Sequence, residues 1–319
     1  MISNDSCKVA FIGAGYMTTE HIKAFKDIPG VVLTGIYSRT HLRAEKLALE
    51  SGVGTVCGSI AELYEKTQAD LVVISVPELS VRDVCLEVFK HPWKALIEKP
   101  VGYDLGDAQL ILEQAKISNS QAFVALNRRH YSSTQIVLDD LFKQEGPRII
   151  HVYDQEDQIA ARLSGQPELV VRNWMYANSI HLIDLFSILG RGVITSVTPI
   201  IPWTPEVPKF VMAKIQYDSG DIGIYEAIWN APGPWAVTVS TQQKRWEMRP
   251  IEQAMSQAYG SRSSENQVSH VWDKNFKPGL RYQATEAVKA TLNLSNSLPT
   301  LSDAVNSMRL INAIYGSGF

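Results

Sequence analysis

Short apolar runs and longer stretches with helical spacing take turns along the first part of the chain. Runs at 8–12, 31–37, 71–76, 94–97 and 121–124 read as strands, and 17–25, 41–51, 81–90 and 105–116 as helices between them. The run at 71–76 suits a strand covered on both faces. Such alternation predicts a doubly wound parallel sheet with right-handed crossovers, with any ligand beyond the carboxyl ends of its strands.

Further on the pattern changes. A helix is expected over 132–143 and a strand from 148 to 153. Stretches 193–200, 210–217, 222–228 and 235–240 alternate as half-buried strands, with a hairpin turn at 218–221. The polar stretch 156–173 reads as an irregular loop that could lie over a substrate, with Arg162 or Arg172 meeting an anionic group, although solvated loop arginines are commoner. The stretch 229–235 reads as a rigid, tryptophan-bearing connector and 252–270 as exposed and polar. Helices over 282–292 and 303–315 close the chain. Two domains follow, 1–125 and 126–319.

Composition narrows the function classes. The chain has 319 residues, 45% of them hydrophobic, which supports full cores. A net charge of −3 without a basic block argues against nucleic acid as a partner. Cys7, Cys57 and Cys85 have no CxxC spacing, so no disulfide or metal site is expected, and a reducing cytoplasm is the expected location. The short polar N-terminus does not read as a signal peptide, and no apolar run is long enough to span a bilayer, so no membrane association is expected.

The most informative stretch is Gly13-Ala-Gly15-Tyr16-Met17-Thr18, at the junction of the first strand and helix. Gly13 permits a sharp turn and Gly15 a close approach of pyrophosphate, with the helix N-terminus offering free N–H groups. This is a dinucleotide fingerprint with Thr18 at the third glycine position. A bare tight turn is the alternative; the strand–turn–helix context favours the nucleotide. The second strand ends in Tyr37-Ser38-Arg39-Thr40, followed by Arg43, where an acid would favour NAD. Hydroxyls and guanidinium groups suit a 2′-phosphate instead, so NADP is favoured over NAD, even if Ser38 and Thr40 also cap the next helix. Ser75-Val76-Pro77 leaves the sheet on the expected nicotinamide side, which a plain strand end would equally explain.

Glu98-Lys99-Pro100 ends the fifth strand, and successive residues there face opposite sides. A lysine at the cleft end of a strand would lie near substrate and a cationic ring, which favours proton transfer; taken alone, a lysine is more often a surface residue. Further along, Asn178 and Ser179 can cap a helix whose first turn carries His181. A neutral imidazole there can take a proton from an alcohol, while the structural alternative bonds it to Asp184 or to backbone.

These pieces together resemble the glucose–fructose oxidoreductase, inositol 2-dehydrogenase and rhizopine-catabolism (Gfo/Idh/MocA) family. The resemblance rests on Gly-Ala-Gly-Tyr-Met, Ser-Val-Pro, Glu-Lys-Pro, Asn127-Arg128-Arg129, the helix beginning His181-Leu-Ile-Asp184, and the closing 301–315 segment. It implies a Rossmann domain followed by an α/β domain with an open, mainly antiparallel sheet, often the site of dimer or tetramer formation, and a last helix packing near the first domain. It also implies hydride transfer between NAD(P) and a carbon bearing oxygen on a sugar-like substrate. Cofactor contacts would come from Gly13, Gly15, Tyr16, Met17, Ser38, Arg39, Thr40, Arg43, Ser75, Val76, Pro77, Glu98 and Lys99. Lys99 and His181 would be catalytic, and Asn127 and Asn178 would hold substrate hydroxyls. One departure is Ala177, where many members carry an aspartate. That departure keeps open a nucleotide-sugar substrate and a rival reading as a non-catalytic, dinucleotide-binding regulatory or interaction protein.

Overall fold

The computed structural model describes residues 6–316. Two compact units result among the described residues: one holds 6–127 together with Trp272–Val305, the other Arg128–Val271 together with 306–316.

In the first unit, strands β1 (Cys7–Ile12), β2 (Val31–Tyr37), β3 (Thr55–Cys57), β4 (Leu71–Ile74), β5 (Lys94–Glu98) and β6 (Ala122–Ala125) form one sheet. All neighbours run parallel, in the order β3-β2-β1-β4-β5-β6. Val9 faces Leu33 of β2 on one side and Leu71 of β4 on the other, so the winding reverses between β1 and β4. A ligand crevice opens beyond the carboxyl ends at such a reversal. Val9, Phe11, Val73 and Leu96 are fully buried, as sheets covered on both faces require. The short β3 and the helix Ile60–Thr67 have no counterpart in the sequence reading, since three residues carry no legible period.

The expected division at 125/126 left 272–305 with the second domain, whereas the chain returns to the first unit there. The helix Leu280–Thr291 places Leu280, Ala284, Ala287 and Val288 in the same core as Phe11 and Phe25. Arg281 Nε donates to Asp27 Oδ2 at 2.7 Å, and Lys94 Nζ to the Ala290 carbonyl at 2.6 Å.

The second unit is built on β7 (Ile149–Glu156), β8 (Ile194–Ile201), β9 (Phe210–Tyr217), β10 (Ile222–Trp229), β11 (Ala236–Ser240), β12 (Lys244–Met248), β13 (Ala254–Ala258) and β14 (Glu265–Asn266). Their order is β14-β13-β12-β11-β7-β10-β9-β8; β7 and β10 pair in parallel and the other neighbours are antiparallel. The 218–221 turn joins β9 to β10 as a hairpin. One face carries the buried Ile150, Val152, Val211, Ala213, Ala227 and Val239. Two sequence expectations change. The stretch 252–270 contributes β13 and β14, and 156–173 holds two short helices, Gln158–Leu163 and Glu168–Arg172. Asp157 starts the first of these by accepting the Ala160 N–H. Arg162 and Arg172 both pair with Glu168, at 3.0 and 3.3 Å, with exposed side chains, as the commoner case of solvated loop arginines expects.

Candidate functional site

The turn after β1 shapes the first unit's crevice. Gly13 has φ +111°, and a Cβ there would stand 2.0 Å from the Ser75 carbonyl oxygen, so β1 and the end of β4 approach as only glycine allows. At Gly15 a Cβ would meet nothing within 4 Å; the space above it is open. Gly15 caps the helix Tyr16–Lys26 without a side-chain bond, so the first-turn N–H groups face that space without a side-chain acceptor. Thr18, buried beneath the turn, occupies the third glycine position.

A cleft of about 320 Å³ follows, lined by Gly13, Gly15, Ser38, Arg39, Thr40, Arg43, Ser75, Val76 and Pro77, all expected. Ser80, Asp83 and Val84 also line it and were not anticipated, because nothing local marks a helix face as part of a cleft. Thr40 makes no capping bond, while Ser38 Oγ accepts the Thr40 N–H at 3.3 Å. The Arg39 and Arg43 side chains form no hydrogen bond or ion pair with any described residue, which leaves two cations in the cleft lining. These features fit a dinucleotide. Tyr16 and Met17 do not line the cleft: Tyr16 is exposed under Lys277 Nζ, 5.4 Å from its ring, and Met17 packs on the core.

Glu98, at the end of β5, is directed elsewhere. Its Oε1 lies 2.7 Å from His21 Nε2, and its Oε2 accepts the Lys99 N–H at 3.2 Å. Both side chains are buried. Lys99 follows half-buried, joined to Pro100 by a cis peptide. Asn127 is buried and donates Nδ2 to the Pro278 carbonyl at 3.0 Å.

In the second unit, Met175–Ser179 is a π-helical turn that runs directly into Ile180–Ile183. Asn178 and Ser179 therefore cap nothing, and His181 does not sit in the first turn of a fresh helix. Asn178 Nδ2 donates to Glu156 Oε2 at 2.9 Å and Ser179 Oγ to Glu156 Oε1 at 3.0 Å. Asp184 is occupied by Arg129, whose Nε and Nη2 each reach it at 2.7 Å, and by Ser307 Oγ at 2.7 Å. Both make Asp184 a structural anchor. His181 is buried, its ring 6.3 Å from that of Trp235, and Arg128 lies over the same indole at 4.6 Å.

Asp154 and Glu156 point from β7 to the buried face, two residues apart. Tyr225 donates its hydroxyl to Asp154 Oδ2 at 2.7 Å and lies 2.8 Å from the Tyr315 hydroxyl. Burial pushes the Glu156 carboxyl well above its ordinary value and the charge of Asp154 adds to it; burial raises Asp154 as well. Two buried carboxyls on one strand face disfavour each other's ionisation. Two acids at period 2 on the apolar face of a strand were the sequence signal for this cluster.

Residues 7–126 match the profile described as "Oxidoreductase family, NAD-binding Rossmann fold". The 4-carboxy-2-hydroxymuconate-6-semialdehyde dehydrogenase of Sphingobium sp. is 22% identical over 237 residues, 71% of this chain and 73% of that one. The glucose-6-phosphate 3-dehydrogenase of Bacillus subtilis is 23% identical over 145 residues, 46% of this chain and 41% of its own. Among solved structures, levoglucosan dehydrogenase in complex with NADH and levoglucosan superposes with a TM-score of 0.80 at 15% identity, covering 97% of this chain and 96% of that one. UDP-N-acetylglucosamine 3-dehydrogenase from Acidithiobacillus ferrooxidans gives 0.78 at 15% identity over the same shares. The two solved structures share the fold of both units.

Proposed function

We propose, from the premise that this chain belongs to the Gfo/Idh/MocA oxidoreductase family, that it moves a hydride between a nicotinamide dinucleotide and a carbinol or carbonyl carbon of a sugar or sugar derivative. The carrying observation is the Gly13–Gly15 cradle, where contact with Ser75 demands glycine at one position and open space lies above the other. The coenzyme, when bound, supplies the hydride chemistry. Gly15 and the helix behind it would hold the pyrophosphate; Ser38, Arg39, Thr40 and Arg43 would hold a 2′-phosphate, which favours NADP over NAD.

Lys99 and His181 take the proton roles. A neutral imidazole accepts the alcohol proton during oxidation, and an ammonium polarises the carbonyl oxygen during reduction. Asn178, committed to Glu156 through Nδ2, keeps an amide oxygen as acceptor for a hydroxyl; Asn127 acts likewise. Relatives named for glucose 6-phosphate, D-apiose and a UDP-sugar support a sugar-like substrate, nucleotide sugars included. The buried thiols Cys7, Cys57 and Cys85 suit a reducing cytoplasm. The half-exposed face of the second sheet, with Ile149 and Phe210 both more than half exposed, suits dimer or tetramer formation.

Ala177, buried and without a carboxylate, favours the second reading, a dinucleotide-binding regulatory or interaction protein. One experiment separates the two. NADPH and NADH binding is followed by coenzyme fluorescence, then turnover is measured on a panel of sugars, sugar phosphates and sugar nucleotides. The enzyme reading expects turnover that Lys99→Ala and His181→Ala abolish while coenzyme binding persists. Binding without turnover on any of the panel supports the regulatory reading, and turnover indifferent to Lys99→Ala removes that residue from its role.

A further inference from the structure

Arg128 and Arg129 are sequence neighbours with opposite surroundings. Arg129 is bound bidentately by Asp184 and also donates to Ser187 Oγ at 3.0 Å. The Arg128 side chain makes no hydrogen bond or ion pair with any described residue, and its Nε is buried. Its guanidinium lies 4.6 Å above the Trp235 ring and 5.9 Å from that of Tyr131. Trp235 is itself held in place, with Nε1 donating to the Gln155 carbonyl at 2.8 Å.

Stacking satisfies the face of a guanidinium, while its five N–H groups point outward in the plane. A desolvated cation with those donors unused is costly, and burial lowers the pKa of Arg128 accordingly. The acids whose fields reach it include Asp154, Glu156 and Glu252. The first two are hydrogen-bonded by Tyr225, Asn178 and Ser179, and none of the three pairs with the Arg128 side chain among the described residues. The protein thus holds a flat cation rigidly, beside the indole that also packs near His181, and leaves its donor edge without an acceptor.

We propose that Arg128 is a substrate-anion site: a carboxylate or phosphate on the sugar-like substrate accepts the guanidinium edge while Trp235 supports the face. The anionic group then belongs to the molecule whose hydroxyl meets His181. This rests on the oxidoreductase reading above and narrows its substrate class to charged sugars. Charge-assisted, bidentate contacts of this kind are the strong ones, and Arg is the residue that makes them.

The test uses the full-length, NADPH-loaded protein, with binding read by tryptophan fluorescence and calorimetry. The probes are D-glucose, D-glucuronate and D-glucose 6-phosphate. At least one charged sugar should bind about tenfold or more tighter than glucose; glucuronate leading identifies a carboxylate and glucose 6-phosphate a phosphate. In Arg128→Gln that ratio should collapse towards one, and Arg128→Lys should restore part of it, since it keeps the charge and loses the fork. Equal binding of all three sugars to the unaltered protein overturns the proposal, as does a ratio that survives Arg128→Gln. Any loss of fold in a variant is read from its NADPH affinity, with Arg128→Lys carrying the comparison. Coenzyme uptake with turnover of neutral sugars but no advantage for charged ones defeats the anion site alone; failure of both NADPH and NADH uptake defeats the parent reading, while the sugar ratio still scores Arg128.

Discussion

His21 Nε2 and Glu98 Oε1 stand 2.7 Å apart inside the first unit, joining the helix behind the glycine turn to the end of β5. The second oxygen of Glu98 holds the Lys99 N–H, so one carboxylate sets both the helix and the backbone that carries the proposed catalytic lysine. Glu98→Ala should leave His21 buried without this partner and cost about 1–3 kcal/mol in urea denaturation. Glu98→Gln, which keeps two polar atoms in place, should cost less. Equal losses would show that the hydrogen bonds contribute little.

The two fingerprint glycines should respond differently to the same methyl group. Gly13→Ala meets both a positive φ and the Ser75 carbonyl, and should destabilise the fold by more than about 2 kcal/mol while abolishing coenzyme binding. Gly15→Ala has φ −98° and open space, so the melting temperature should shift little. Its coenzyme affinity should nevertheless fall about tenfold or more, because the methyl group enters the pyrophosphate path. An unchanged affinity would place the pyrophosphate elsewhere.

Coenzyme choice tests the arginines. Arg39→Ala should weaken NADPH by about tenfold or more and leave NADH within about twofold, and Arg43→Ala should act in the same direction. The NADPH term should shrink with added salt, as expected for an exposed charge pair. Equal losses for both coenzymes in a fluorescence titration would end the 2′-phosphate assignment.

Stability should fall on both sides of a mid-pH optimum, for two separate reasons. Burial pushes Asp221 up, but hydrogen bonds from Arg191 and from the backbone of Arg148 and Arg191 hold it below its ordinary value. Its contribution is therefore present above the usual carboxylate range and lost as pH falls through the depressed value. Glu156 is raised, so its protonated form stabilises at low pH and that contribution disappears as pH rises through the elevated value. Glu156→Gln should flatten the alkaline limb of a melting-temperature profile and gain about 1 kcal/mol at pH 8, with Asn178 turning its amide to suit. Asp221→Asn should flatten the acid limb at a cost in stability near neutrality. A profile unchanged by Glu156→Gln would show that the dyad is not linked to folding.

Much of the first unit was legible because its signals are local. Apolar runs of strand length, the helices between them and the glycine turn each depend on a few consecutive residues, whereas the pairing of β1 with β4 and the turn's contact with Ser75 came only with the fold. The readings that changed depended on distant partners. Asn178 and Ser179 have capping chemistry, yet Glu156 takes their donors and the helix runs through them.

The sequence by itself determined the wound parallel sheet, the glycine cradle and the placing of Lys99 at a strand's carboxyl end, because period, handedness and glycine's freedom act within one turn or one strand. Only the tertiary structure decided that Glu98 belongs to His21, that the helix Leu280–Thr291 completes the first core, and that of two adjacent arginines one is paired and the other stacked with its edge open. Those outcomes rest on contacts between residues far apart in the chain, where many side chains of suitable chemistry compete and packing selects which of them meet.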